Sequence, residues 1–184
     1  ALQPDGKVVL GGGVSQPVGG GCCVSDFALA RLTSAGTPDT SFDGDGRVVT
    51  DLLPGAENGH DAAQAVLVQA DGRILAAGAG VADVVSVDFA VARYLADGSL
   101  DPTFSNDGLV TTDFDSIFGL AQAVALQPDG KIVVAGSMFA SPTSAGDFAV
   151  TRLLNPQGTS DSSFGQNGEL VFDFGADDEA LAMA

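Results

Sequence analysis

An all-β chain made of three copies of one four-stranded antiparallel unit is the fold class predicted for these 184 residues, and three observations carry the prediction. First, one phrase recurs: ALQPDGK at Ala1 to Lys7, LVQADGR at Leu67 to Arg73 and ALQPDGK at Ala125 to Lys131. Each is followed by Asp-Phe-Ala and then by an Asp-x-x-Phe segment. A long internal period means that one supersecondary unit is copied and stacked, each copy covering its neighbour's face. Second, each copy is too short to hold a core of its own, so the stack is the unit of folding. Third, the composition suits short strands and many turns: glycine contributes 25 residues and apolar residues 45%. No apolar run approaches the length needed to cross a bilayer, so no membrane span is expected.

The three copies divide as 1–66, 67–124 and 125–184, the last ending in the first strand of a following repeat. Copy 1 is longer because two of its loops, GGGVSQPVGGGCCVS and PGAENGHD, exceed their counterparts, as insertions at the rim of a repeat do. Within a copy the first strand, clearest at Gln122 to Gln127, runs into Pro-Asp-Gly. There proline presets one dihedral and glycine accepts a positive one. The second strand, Lys7 to Leu10, Arg73 to Ala77 or Lys131 to Ala135, is β-branched and bounded by glycine. A loop leads to the third strand, DFALARL, DFAVARY or DFAVTRL. Another glycine turn (SAGT, ADGS, PQGT) and the Asp-x-x-Phe segment then lead to the fourth, RVVTDL, LVTTDF or ELVFDF.

The third strand fixes the layering, because successive side chains point to opposite faces of a sheet. One face collects Phe27, Leu29 and Arg31, with Phe89, Val91 and Arg93 and then Phe148, Val150 and Arg152 at the same places. The other face collects Ala28, Ala30, Ala90, Ala92, Ala149 and Thr151. One bulky and one small apolar face is what a sheet needs when it is packed between two like sheets. Phe42, Phe104 and Phe164 fall at equivalent places and are expected to plug each unit. Four antiparallel strands packed face to face with the next copy are β-propeller blades, here three of them forming part of a ring or array.

The composite ALQPDGKIVVAG, DFAVARY, DGSLDPTFSNDGLVTTDF resembles the delta-60 repeat family, a bacterial β-propeller repeat found in tandem in large exported and surface proteins. The resemblance spans all three copies and implies blades but no catalytic residues. It is departed from at the long loop bearing Cys22 and Cys23, at Ala70 in place of the turn proline, and at Gln157-Gly158 where copy 2 has Asp97-Gly98. It implies a non-enzymatic module of an exported or cell-surface bacterial protein, acting as structural scaffold, adhesive surface or protein-interaction platform. The alternative is a propeller enzyme, a lyase or hydrolase with a site at the channel mouth. Acidic residues clustered with His60 and a metal there would support it.

Charge narrows the partners. The net charge of -17, from 24 acidic against seven basic residues, has the wrong sign for phosphate-backbone binding, so no nucleic-acid partner is expected. Protein partners or further copies of the same repeat remain, including a homo-oligomer. Every basic residue except Arg47 is bound to the repeat: Lys7, Arg73 and Lys131 just after a turn, and Arg31, Arg93 and Arg152 within the third strand. Each strand arginine is expected to pair with the aspartate on the loop that follows, Asp39, Asp101 or Asp161. No catalytic and no cofactor-binding residue is assigned. Adjacent Cys22 and Cys23 form neither a disulfide framework nor a zinc site, and lone His60 lacks partners for a triad. Calcium is the one metal to weigh, at Asp43 and Asp45 in the Asp-Gly-Asp-Gly loop, against the plainer reading of that loop as a turn. Ala184 stands in the repeat where Ala1 and Ala125 stand. An excerpt of a longer array is the expectation from this, with a six-bladed ring of two chains as the next alternative.

Overall fold

The computed structural model describes residues 1–17, 23–52, 61–81, 86–141 and 143–183, the side chains at positions 16, 17, 23 and 24 excepted. The Pro-Asp-Gly turns and the Ala-Asp-Gly variant form as the sequence demands. Gly6, Gly72 and Gly130 sit at φ 83°, 87° and 88°, where a side chain would be strained. The preceding carboxylates of Asp5, Asp71 and Asp129 accept the backbone N–H of Lys7, Arg73 and Lys131 at 3.1, 3.1 and 3.2 Å.

Those turns organise the described residues into strands alone. Blade 1 contains β1 (Val8–Pro17), β2 (Cys23–Leu32) and β3 (Arg47–Thr50). Blade 2 contains β4 (Ala62–Val68), β5 (Ile74–Val81), β6 (Val87–Tyr94) and β7 (Leu109–Thr112). Blade 3 contains β8 (Phe118–Leu126), β9 (Ile132–Phe139), β10 (Asp147–Leu153) and β11 (Glu169–Phe172). Blades 2 and 3 are four-stranded antiparallel meanders joined by one parallel bridge, Val87 to Phe118. In blade 1 the place of a first strand is held by the bridge from Leu2 to Val8. No helix among the described residues is long and apolar enough to cross a membrane.

The second strand of each blade outruns its expected end, reaching Pro17, Val81 and Phe139. In β5 and β9 Ala79, Val81 and Met138 beyond the glycines are buried, and in all three blades pairing with the third strand goes on past the glycines. Both β4 and β8 carry an irregularity at the same place, between Ala63 and Ala65 and between Ala121 and Ala123. Opposite it stand Gly78 and Gly136, where an added Cβ would lie 1.9 Å from the carbonyl oxygen of Ala62 or Leu120. Only glycine lets the first strand approach so closely.

Burial along the third strands establishes the stacking order. In β2 the bulky face is buried and Ala28 and Ala30 are half-exposed; in β6 both faces are buried; in β10 Ala149 and Thr151 are buried and Phe148 and Val150 are half-exposed. The bulky face of each blade therefore covers the small face of the next. One core joins Phe27, Leu29, Phe42 and Val48 of blade 1 to Ala76, Ala90 and Ala92 of blade 2. The other joins Leu75, Phe89, Val91 and Phe104 of blade 2 to Ala121, Val134 and Ala149 of blade 3.

Candidate functional site

The repeat-bound charges converge on one construction, made three times. The Arg31, Arg93 and Arg152 guanidinium groups each donate from Nε to Asp39, Asp101 and Asp161, at 2.7, 2.9 and 2.8 Å. The same carboxylate oxygen takes a second cation from the turn: Lys7 Nζ at 3.0 Å, Arg73 Nε at 2.8 Å or Lys131 Nζ at 3.1 Å. The other oxygen accepts the hydroxyl of Ser41, Thr103 or Ser163 at 2.7, 2.7 and 2.6 Å, and that residue's backbone N–H as well. Each guanidinium carbon lies 4.6 Å from the centre of the Phe42, Phe104 or Phe164 ring, a cation–π contact. Two cations and a hydroxyl on one aspartate form a rigid lock.

The electrostatics follow from those contacts. Burial opposes ionisation of Asp101, but the Thr103 hydroxyl and N–H, with Arg73 and Arg93, hold its carboxyl down at about 2. Ser41 and Lys7 hold Asp39 well below the usual carboxylate range, and Ser163 with Lys131 does the same for Asp161. Burial pushes the Arg93 guanidinium down while Asp101 supports its charge.

The lock also reaches across to the next blade, which the sequence pattern does not reveal. Arg31 Nη1 donates to the Ala96 carbonyl at 2.5 Å, and Arg93 Nη1 to Asn155 Oδ1 at 2.7 Å. Beside them, the Asp43 N–H donates to the Asp97 carbonyl at 2.7 Å and the Ser105 N–H to Gln157 at 2.8 Å. Gly98 and Gly158 rest on the Phe42 and Phe104 rings, where an added Cβ would come within 3.1 and 2.8 Å. Thr50 and Tyr94 hydroxyls bond at 2.8 Å over the same junction, and burial pushes the Tyr94 phenol up to about 12.

A second recurring group lies at the other end of the third strand. The carboxylates of Asp26, Asp51 and Asp61 converge with all their ligand oxygens within 4.8 Å of one another, and Asp147, Asp173 and Asp178 do the same. Blade 2 keeps Asp88 and Asp113 at the first two places but has Gly119 at the third. Asp61 is buried and accepts the N–H groups of Leu52 at 3.1 Å and Val81 at 2.8 Å. Its own burial, with Asp51 and Asp26 nearby, nevertheless pushes its carboxyl up. Desolvation with Asp173 and Asp178 does the same to Asp147. Three oxygen ligands of this kind suit a hard divalent cation such as calcium. Two members of each group repeat in the sequence, Asp26 with Asp147 and Asp51 with Asp173, which was the available signal. The third enters from a loop of different length in each copy.

Asp43 and Asp45 belong to neither group. Asp45 accepts the Arg47 N–H at 2.8 Å, closing a turn, and Asp43 adopts φ 49° at the blade junction. His60, Cys22 and the Cys23 side chain lie outside the described residues.

Stacked antiparallel meanders, tied at each junction by the same arginine lock, define the chain as an array of β-propeller blades. Residues 3–42, 69–104 and 127–164, more than half of the chain, match the profile described as a domain of unknown function (DUF5122) beta-propeller. The chain belongs to that family. No curated protein and no solved structure matches it.

Proposed function

We propose that the chain is a non-enzymatic propeller module of the delta-60 kind in an exported or cell-surface bacterial protein, a rigid scaffold that presents blade surfaces to protein partners or further copies of the repeat. One observation carries the reading. Every basic residue except Arg47 is placed in a lock that holds strand to turn, and two of the three locks hold blade to blade. The chemical variety of the repeat is therefore spent on the frame, and an acidic exterior of net charge -17 remains to favour solubility and to repel nucleic acid.

The test is location and inertness together. An epitope-tagged full-length gene product in its host should be cleaved by protease added to intact cells, or be recovered from the medium. Protection in intact cells with recovery from the cytosol would overturn export. Turnover of a polysaccharide or ester panel by the purified chain, abolished by Asp61→Asn, would overturn the non-enzymatic reading.

A further inference from the structure

Each internal junction has two halves, and one half of a junction is left over on each outer face. On blade 3, Phe164 is half-exposed and stands where Phe42 and Phe104 are buried beneath Gly98 and Gly158. Arg152 spends Nε and Nη2 on its own blade, and among the described residues its Nη1 has no counterpart of the acceptors that Arg31 and Arg93 reach in the next blade. Phe174, packed edge-on against Phe148, is 69% exposed, whereas its equivalent Phe114 on Phe89 is 8% exposed. On blade 1, Gly36 stands where Gly98 and Gly158 stand, with the same positive φ, yet nothing lies within 4 Å of where its Cβ would be. The small face around Ala28 and Ala30 forms a shallow apolar groove, edged by Leu10 at 51% and Val49 at 52% exposure.

An independent feature points to the same occupant. Gly12 is the equivalent of Gly78 and Gly136, the glycines that admit a carbonyl from the first strand, but an added Cβ at Gly12 meets nothing within 4 Å. The residues that supply those carbonyls, Ala62 and Leu120, have a third counterpart in Glu179, since Asp178-Glu179-Ala180 aligns with Asp61-Ala62-Ala63 and Gly119-Leu120-Ala121. Residues 179–183 are in no strand, and Leu181 is 65% exposed.

We propose that blade 3 docks head to tail on blade 1 of a second copy of this chain, repeating the internal junction between molecules. In that contact Arg152 Nη1 donates to the Ser34 carbonyl, the Gly165 N–H donates to the Ala35 carbonyl, and Phe164 receives Gly36. The Glu179 carbonyl seats over Gly12, and residues 179–183 run beside β1 as its first strand. The occupant is named by continuity: two junctions already show what this bulky face accepts, and the complementary face is present on the same chain. A contact of unlike faces is heterologous, so it closes into a ring or continues as a filament. The inference rests on the reading of the chain as an assembly module, and adds the partner and the surface.

Sedimentation equilibrium of the purified chain decides it, at about 0.1 mM, where an interface of micromolar strength is occupied. Raised salt screens the repulsion between two chains of net charge -17 and should strengthen the contact. The expected mass is a multiple of 18.3 kDa. Gly12→Val places a side chain in open space in the single chain, so its circular dichroism and unfolding midpoint should match wild type while its mass falls to one chain. Phe174→Asp, on the opposite face, should do likewise. Mixing the two variants leaves one intact pair of faces and should restore a two-chain species, whereas two lesions on one symmetric patch would not be rescued. Wild type at single-chain mass in all salt conditions, variants that associate like wild type, or a mixture that stays monomeric would each overturn the proposal. None of these results bears on protease exposure at the cell surface, so the two readings fail separately.

Discussion

Replacing Asp101 by Asn should damage the fold more than replacing Arg93 by Met, although the two residues share one ion pair. Arg93 is 0% exposed and Asp101 1%. Removing one partner of a buried pair leaves an uncompensated charge and costs about 3–5 kcal/mol. With Asp101→Asn the stranded charge is the Arg93 guanidinium, which has no other carboxylate within ion-pair distance among the described residues. With Arg93→Met the stranded charge is the Asp101 carboxylate, which keeps Arg73 Nε at 2.8 Å and the Thr103 hydroxyl at 2.7 Å. Methionine also keeps a flexible, polarisable chain against the Phe104 ring. What remains lost is the bond to Asn155 and one to Thr103, about 1–3 kcal/mol together. Urea unfolding followed by circular dichroism, with unchanged slope, should order the midpoints wild type, Arg93→Met, Asp101→Asn. For a chain of this length, about 4 kcal/mol corresponds to a fall of roughly 10 °C in Tm. The double variant Arg93→Met/Asp101→Leu removes both charges and should be milder than Asp101→Asn alone, because a half-exposed Arg73 can return to water. The reasoning fails if Asp101→Asn is as mild as Arg93→Met, or if the double variant shows the sum of two independent losses.

Glycine substitutions should follow the blade order. Gly98→Ala and Gly158→Ala press a methyl group onto the Phe42 or Phe104 ring of the neighbouring blade and should cost about 2–4 kcal/mol. Gly36→Ala meets open space and should cost about 1 kcal/mol of backbone strain alone in the single chain; equal losses at all three sites would contradict the cross-blade contact. Stability should peak in mildly acidic solution. Asp61 and Asp147 have raised folded carboxyl pKa values, so the folded state binds the extra proton above 3.8 and stability rises as pH falls from neutral toward that value. Asp39, Asp101 and Asp161 are depressed, so their contribution is full above 3.8 and is lost as pH falls toward about 2 for Asp101 and further for the other two. A Tm that declines steadily from pH 7 downward would refute the first half of that profile.

Much of this fold was legible because the repeat states each constraint three times. The alternation of Phe, Leu or Val and Arg against Ala, Ala or Thr in the third strand fixed the two faces, and the observed burial follows it from β2 to β10. The pairing of Arg31, Arg93 and Arg152 with Asp39, Asp101 and Asp161 was legible too, since a cation and a carboxylate at near-constant spacing around a turn have few other ways to be satisfied. The second cation on each carboxylate was not, because Lys7, Arg73 and Lys131 come from another turn, and only pairing of the second and third strands brings it close. Reach across blades was hidden for the same reason. The Ala96 carbonyl and the Asn155 side chain play one role with different atoms, so no residue type records it. The Asp26, Asp51 and Asp61 group forms no local Asp-x-Asp motif, because sheet pairing and a long loop bring its members together.

Placement of the cations in the locks explains how an acidic chain can pack blade on blade. Each lock joins two basic side chains to a buried aspartate, and the turn carboxylate of Asp5, Asp71 or Asp129 pairs with the second of them, so the lock is balanced in charge although the chain as a whole carries -17. The acidic excess therefore lies outside the locks, where charges farther apart than about 8 Å are screened at physiological salt. Inside a junction the guanidinium donates directly to a neutral acceptor of the next blade, the Ala96 carbonyl or Asn155 Oδ1, and salt weakens that contact much less. Two like-charged surfaces thus repel at long range and bind at short range, and added salt removes the first effect before the second. A junction held chiefly by surface ion pairs would weaken as salt rises. One built on Arg152, Phe164 and a buried glycine turn should strengthen instead, so the sign of the salt dependence separates lock-and-turn docking from simple charge attraction.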